Sequence, residues 1–68
     1  MNEAWNKAMK ELEKIAKGKW ALLKCEQWIN NDPYGLRFSA YITDVGHSEW
    51  LSTPGAAVRD LKNKMKII

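Results

Sequence analysis

The spacing of the apolar residues along the chain changes first at Gly18. Before Gly18, apolar side chains recur at steps of three and four, which is the spacing of a helix with one apolar face. Asn2 is a candidate N-cap for this helix, and Gly18 stands where a glycine often ends one. The pattern predicts a helix over residues 3–17. Its apolar stripe consists of Trp5, Ala8, Met9, Leu12, Ile15 and Ala16.

After Gly18, apolar and polar residues alternate, which is the spacing of β-strands. The pattern predicts strands over 19–30, 35–44 and 47–52. The turn residues between the first two are Asp32, Pro33 and Gly35, and a tight turn at 44–47 precedes the third strand. Such short connections predict an antiparallel meander. The residues expected on the core face of the first two strands are Ala21, Leu23, Cys25, Ile29, Leu36, Phe38, Ala40 and Ile42.

A second helix is predicted over residues 54–66. Thr53 is its expected N-cap, and Pro54 suits the first helical position because its missing N–H would have no partner there. The predicted fold is therefore a single α+β domain over residues 1–68. Its order is α-β-β-β-α, and both helices pack on one face of the sheet.

The residues available for catalysis are few. The chain has one cysteine, Cys25, and one histidine, His47. The strand pattern places Cys25 in the core, and His47 is expected to be a solvated residue of a turn. No phosphate-binding glycine loop and no metal-ligand spacing is present. We therefore predict a protein that is not an enzyme, with no catalytic residue, metal site or cofactor.

A single thiol also excludes an internal disulfide, which is typical of a reducing compartment. The longest apolar run, residues 20–23, is far shorter than a membrane span of about 20 residues. The first residues lack the pattern of a signal peptide. The sequence predicts a cytoplasmic protein that does not enter a membrane.

Aromatic residues distinguish this composition, with four tryptophans in 68 residues. Most of the rings have the strand parity opposite to the core residues, so they are expected on the uncovered face of the sheet. Either Trp50 or Leu51 adds to them, depending on the register of the third strand. The residues predicted to bind a protein are Trp20, Trp28, Tyr41 and Trp50, bordered by Lys24 and Arg37. Three alternatives stay open: a protein contact, homodimerisation included, a stacking platform for bases, or rings covered by a tail or by the second helix.

The helices carry most of the positive charge, and the sequence pI is about 9.2. Their cations could converge on the phosphates of a nucleic acid, or they could form a solvated face. The candidate residues are Lys7, Lys10, Lys14, Lys17, Arg59, Lys62 and Lys66.

Two resemblances to known families accompany these patterns. The α-β-β-β-α order in this length is similar to the double-stranded-RNA-binding domain, which implies helices that contact an RNA duplex. Residues 50–61, with Thr53-Pro54 before an amphipathic helix, resemble the strand–helix ending of HicB-type antitoxins and of small phage proteins. The second resemblance implies an accessory or inhibitory protein of a phage or other mobile element.

The first hypothesis is a small non-enzymatic protein that binds a cytosolic host protein through the aromatic residues. The second is a nucleic-acid-binding module that uses the basic helices. The third is a small-ligand binder formed at a homodimer interface. Salt dependence separates the first two, because phosphate binding weakens steeply with salt.

Overall fold

The structure is a computed structural model that describes residues 2–30, 32 and 35–66, apart from the side chains of Asn2 and Lys66. It is an α+β domain with an antiparallel three-stranded sheet in the order β1-β2-β3, as predicted. The predicted turn residue Pro33 lies outside the described residues. The elements are α1 (Asn2–Ala16), β1 (Ala21–Trp28), β2 (Gly35–Ile42), β3 (Gly46–His47) and α2 (Pro54–Lys66).

Both helices pack on the same face of the sheet. Leu23 of β1 and three alternate residues of β2 point to that face, and both helices contribute the side chains above them. Trp5 of α1 packs against Phe38 with 6.2 Å between the ring centres. The buried core is Ala8, Leu12, Ala16, Leu23, Phe38, Ala40, Ile42, Ala57, Val58 and Leu61.

The two helices begin and end close to their predicted limits. α1 starts at Asn2. The role of Asn2 as N-cap stays a prediction, because its side chain lies outside the described residues. After Ala16 the chain turns through positive φ at Lys17 (52°) and Gly18 (86°), and the N–H of Lys19 donates to the carbonyl of Ala16. Thr53 caps α2, because its Oγ1 accepts the N–H of Ala56 at 3.1 Å.

The prediction of a continuous third strand over 47–52 was wrong. Regular pairing ends at His47, which belongs to β3 rather than to a turn. Ser48 donates its N–H to Ala40, and Leu51 exchanges two hydrogen bonds with Phe38. Ser48 and Leu51 are three residues apart, whereas their partners Ala40 and Phe38 on β2 are two residues apart. One extra residue on one strand is the mark of a β-bulge. The first two strands are also shorter than predicted.

The placement of Cys25 and Ile29 in the core was also wrong. Cys25 has the predicted parity, opposite Phe38, yet it is exposed, and Ile29 beyond the end of β1 is 59% exposed. The helices cover the sheet near Leu23 and Ala40 but do not cover the end of the β1–β2 hairpin that is close to its turn. Leu36, on the same side, is accordingly 42% exposed. Correct parity does not bury a residue where no helix lies above it.

Candidate protein-binding face

Among the described residues, the face of the sheet opposite the helices carries the indole and phenol rings of Trp20, Trp28, Tyr41 and Trp50, which we call the aromatic face. Trp50 rather than Leu51 joins it, because Trp50 contacts Trp28 while Leu51 pairs with Phe38 of the core. Strand alternation positions these side chains, since every second residue of β1 and β2 points away from the helices. The bulge after Ser48 then turns Trp50 toward the same face.

One end of the aromatic face is built around Tyr41. The ring of Trp20 meets that of Tyr41 nearly edge-on, with centroids 5.8 Å apart. The ring centroid of His47, on the neighbouring strand β3, is 4.6 Å from that of Tyr41. Trp20 is nonetheless 65% exposed. It is held in place by backbone, because the N–H and Oγ1 of Thr43 both donate to its carbonyl. A large apolar ring is thus presented to solvent from a fixed position.

The other end pairs Trp28 with Trp50, at 6.0 Å between ring centres. A cation lies near each ring: Lys24 Nζ is 5.6 Å from the centre of Trp50, and Arg37 is 5.9 Å from that of Trp28. The indole N–H of Trp28 donates to Glu26 Oε1 at 3.0 Å. These contacts hold the rings against the sheet by cation–π attraction and one charge-assisted hydrogen bond.

No helix covers these rings in the described part of the chain. Ser39 points to the aromatic face between Arg37 and Tyr41 and is only 1% exposed. The alternative in which α2 covers the rings was wrong, because α2 packs on the opposite face through Ala57, Val58 and Leu61. The alternative of a covering tail concerns Ile67 and Ile68, which lie outside the described residues.

The predicted basic residues divide into two groups. Lys7, Arg59 and Lys62 line a groove of about 390 Å³ between α1 and α2. Glu11 also lines it and binds Lys62 at 3.5 Å, so one of the three cations is partly neutralised. Lys10, Lys14 and Lys17 are exposed residues outside that lining, and the side chain of Lys66 is outside the description.

The two candidate catalytic side chains, Cys25 and His47, do not come together. Cys25 lies on the helix side of the sheet and His47 pairs with Tyr41 on the aromatic face, so the two side chains point to opposite faces. Within the same residues, no group of three or more histidine, cysteine or acidic side chains could hold a metal ion. No helix in the described part of the chain is long and apolar enough to cross a membrane.

Sequence reasoning missed three features of this region. His47 belongs to the aromatic face, which only the β2–β3 register reveals. The outer edge of β1, with which no described strand pairs, borders a hollow of about 350 Å³ lined by residues such as Met9, Ala21 and Leu23. The exposed Cys25 depends on where the helices end over the sheet, and no local pattern encodes that.

The fold and the face define a class: a small α+β protein with two helices on one side of a sheet and fixed aromatic side chains on the other. Comparison with protein-family models, with curated proteins and with solved structures finds no match to this chain. Function is therefore inferred from the residues themselves.

Proposed function

We propose that this protein is a non-enzymatic interaction protein that binds another protein in the cytosol through the aromatic face. The observation that carries the proposal is Trp20, which is 65% exposed although its backbone is fixed by Thr43. Tryptophan, tyrosine and arginine are the residues that most often dominate binding energy at protein interfaces. A preformed cluster of them loses little side-chain entropy when it binds.

The ring geometry favours a protein over nucleic-acid bases as the partner. A base stacks on a free ring face. Trp28 and Trp50 pack against each other and each has a cation nearby, while Tyr41 has Trp20 on one side and His47 on the other. These contacts leave Trp20 as the most available ring, which suits insertion into a pocket of a partner protein better than stacking of successive bases.

The groove between the helices supports the second hypothesis, binding to nucleic-acid phosphates. Lys7 and Arg59 line it without an ion pair among the described residues, whereas Lys62 already binds Glu11. Of the six predicted cations whose side chains are described, three line this groove, so it is the weaker candidate. Binding there is an alternative outcome of the experiment that tests the aromatic face.

The remaining parts of the proposal concern assembly and origin. Trp20 and Leu22 are exposed on this face, and a second copy can cover apolar surface of this kind and add buried area that 68 residues lack. We therefore include a homodimer in the proposal. The ending over residues 50–61 supports an accessory protein of a phage or other mobile element, acting on a host protein.

The proposal is tested with tagged wild-type protein and two variants as baits in a native lysate, with and without nuclease. Trp20→Ala removes the exposed ring from the aromatic face. Leu36→Ala is the matched control, because Leu36 is also exposed but lies on the other side of the same sheet. We expect a protein that resists nuclease to be captured by wild type and by Leu36→Ala, and Trp20→Ala to bind the purified protein at least tenfold more weakly.

Three results would contradict the proposal. A bound species that disappears with nuclease and with rising salt would instead support the helix groove. Equal binding by both variants would exclude Trp20 as the contact. Turnover of a substrate that His47→Ala or Cys25→Ala abolishes, while binding to the captured protein is unchanged, would contradict a non-enzymatic role.

A further inference from the structure

β1 is an outer strand of the sheet, and its free edge has no pairing strand among the described residues. The hydrogen-bond pattern shows which groups point outward. Trp20 bonds across to Thr43, and in an antiparallel ladder only alternate residues make such bonds. On β2, Phe38 and Ala40 bond toward the third strand, so their β1 partners Cys25 and Leu23 direct N–H and C=O away from β2. The outward residues of β1 are Ala21, Leu23, Cys25 and Gln27.

A free edge of this kind pairs readily with another strand. If the added strand is β1 of a second copy, a twofold axis must set outward residues opposite outward residues. Near the middle of the strand, three axes satisfy this rule, through Lys24, Cys25 or Glu26. An axis through Lys24 places the Lys24 side chains of the two copies opposite each other. An axis through Glu26 does the same with the two Glu26 carboxylates. Like charges directly opposite each other are destabilising.

The axis through Cys25 has the opposite effect. It places Lys24 of each copy directly opposite Glu26 of the other, on the aromatic face, in the closely spaced non-hydrogen-bonded position. Neither side chain has an ion pair among the described residues. Two complementary charge pairs therefore select this register over the neighbouring ones.

We propose that two copies of this protein pair antiparallel along β1, with Cys25 opposite Cys25, to form one six-stranded sheet. The exposed apolar residues fit this register. Leu22, which is 38% exposed, comes opposite Trp28 of the second copy. Ala21, at the hollow beside the β1 edge, comes opposite Ile29 of the second copy, which is otherwise mostly exposed.

This inference rests on the homodimer of the proposed function and adds its interface and register. It leaves Trp20 and Tyr41 accessible, because the new contacts use the edge of the sheet. The two aromatic faces then form one continuous surface. The dimer would present two copies of the same binding site side by side to a partner.

Charge exchange tests the register. Lys24→Glu alone places two carboxylates opposite each other, and Glu26→Lys alone does the same with two ammonium groups. We expect each to raise the dimer dissociation constant about tenfold or more, measured by sedimentation under reducing conditions. The double variant, and an equimolar mixture of the two single variants, should recover wild-type association. Lys14→Glu, an exposed change on α1, is the control and should associate like wild type.

Cysteine trapping tests the same register independently. Opposed residues in this pairing have Cα atoms about 5.5 Å apart, within the range of a disulfide. Diamide removes the two thiol hydrogens as the S–S bond forms and is itself reduced to the hydrazine. We expect rapid covalent dimerisation of dilute wild type. In Cys25→Ser/Gln27→Cys, the two thiols lie about 13 Å apart along the strand, so trapping should be at least tenfold slower.

The outcomes separate the two proposals. Monomeric wild type at millimolar concentration would overturn both the homodimer and its register. A dimer that the single charge reversals do not weaken, or that the double variant does not restore, would overturn the β1 register alone. Faster disulfide trapping at position 27 than at position 25 would also overturn the β1 register alone.

Discussion

Ser48 is the residue on which the irregular third strand depends. It is buried, and its Oγ accepts the N–H of Ala40 at 2.9 Å while it donates to the carbonyl of Glu49 at 2.9 Å. The hydroxyl thus supplies a partner to a β2 amide where the bulge interrupts the ladder. The alternation of residues 48–52 predicted a strand here, because a serine that replaces a backbone acceptor cannot be recognised from periodicity.

We expect Ser48→Ala to lower the free energy of unfolding by about 1–3 kcal/mol, since it leaves the buried N–H of Ala40 without an acceptor. Urea unfolding followed by circular dichroism measures the change. Ser52→Ala, at an exposed position, is the control and should lie within about 0.5 kcal/mol of wild type. Equal midpoints for the two variants would show that the Ser48 hydroxyl is replaceable, for example by water.

At the scale of single elements, local signals were sufficient for the helices. The apolar stripe, Gly18, Thr53 and Pro54 act within a few residues, so the helix limits followed from the sequence to within one residue. The strand faces also followed, since alternation fixes which side chains point together. Burial along β1 did not follow, because it depends on the place where α1 and α2 end over the sheet.

Glycine substitutions at two lysines near the end of α1 are expected to change the free energy of unfolding in opposite directions. Lys17 has a φ of 52°, a conformation that costs a residue with Cβ but not glycine. We expect Lys17→Gly to raise the free energy of unfolding by about 0.5–1 kcal/mol. Lys14→Gly, inside the helix, should lower it by about 1 kcal/mol. Thermal unfolding of both variants provides the check, and a loss of stability in Lys17→Gly would contradict the prediction.

At the scale of the whole molecule, the helices cover only part of the sheet. Near Leu23 the sheet is packed under both helices, whereas Cys25, Ile29 and Leu36 on the same side are exposed. The sequence predicted a uniform two-layer domain, because alternation is the same along the whole hairpin. The position of the aromatic face was predictable, but the free edge and the uncovered hairpin depend on the tertiary arrangement.

This unequal cover predicts unequal local stability along β1. The amides of Lys24 and Glu26 both point toward β2, both lie inside the strand and both belong to residues on the aromatic face. They differ in position, because Lys24 follows the buried Leu23 while Glu26 follows the exposed Cys25.

Local opening of the hairpin near its turn should therefore expose the Glu26 amide without unfolding the core. In a dilute, monomeric sample, we expect hydrogen exchange by NMR to be about tenfold faster at Glu26 than at Lys24, after correction for intrinsic rates. Equal protection of the two amides would mean that the contacts of Trp28 with Trp50 hold the hairpin as firmly as the helices hold the rest of the sheet.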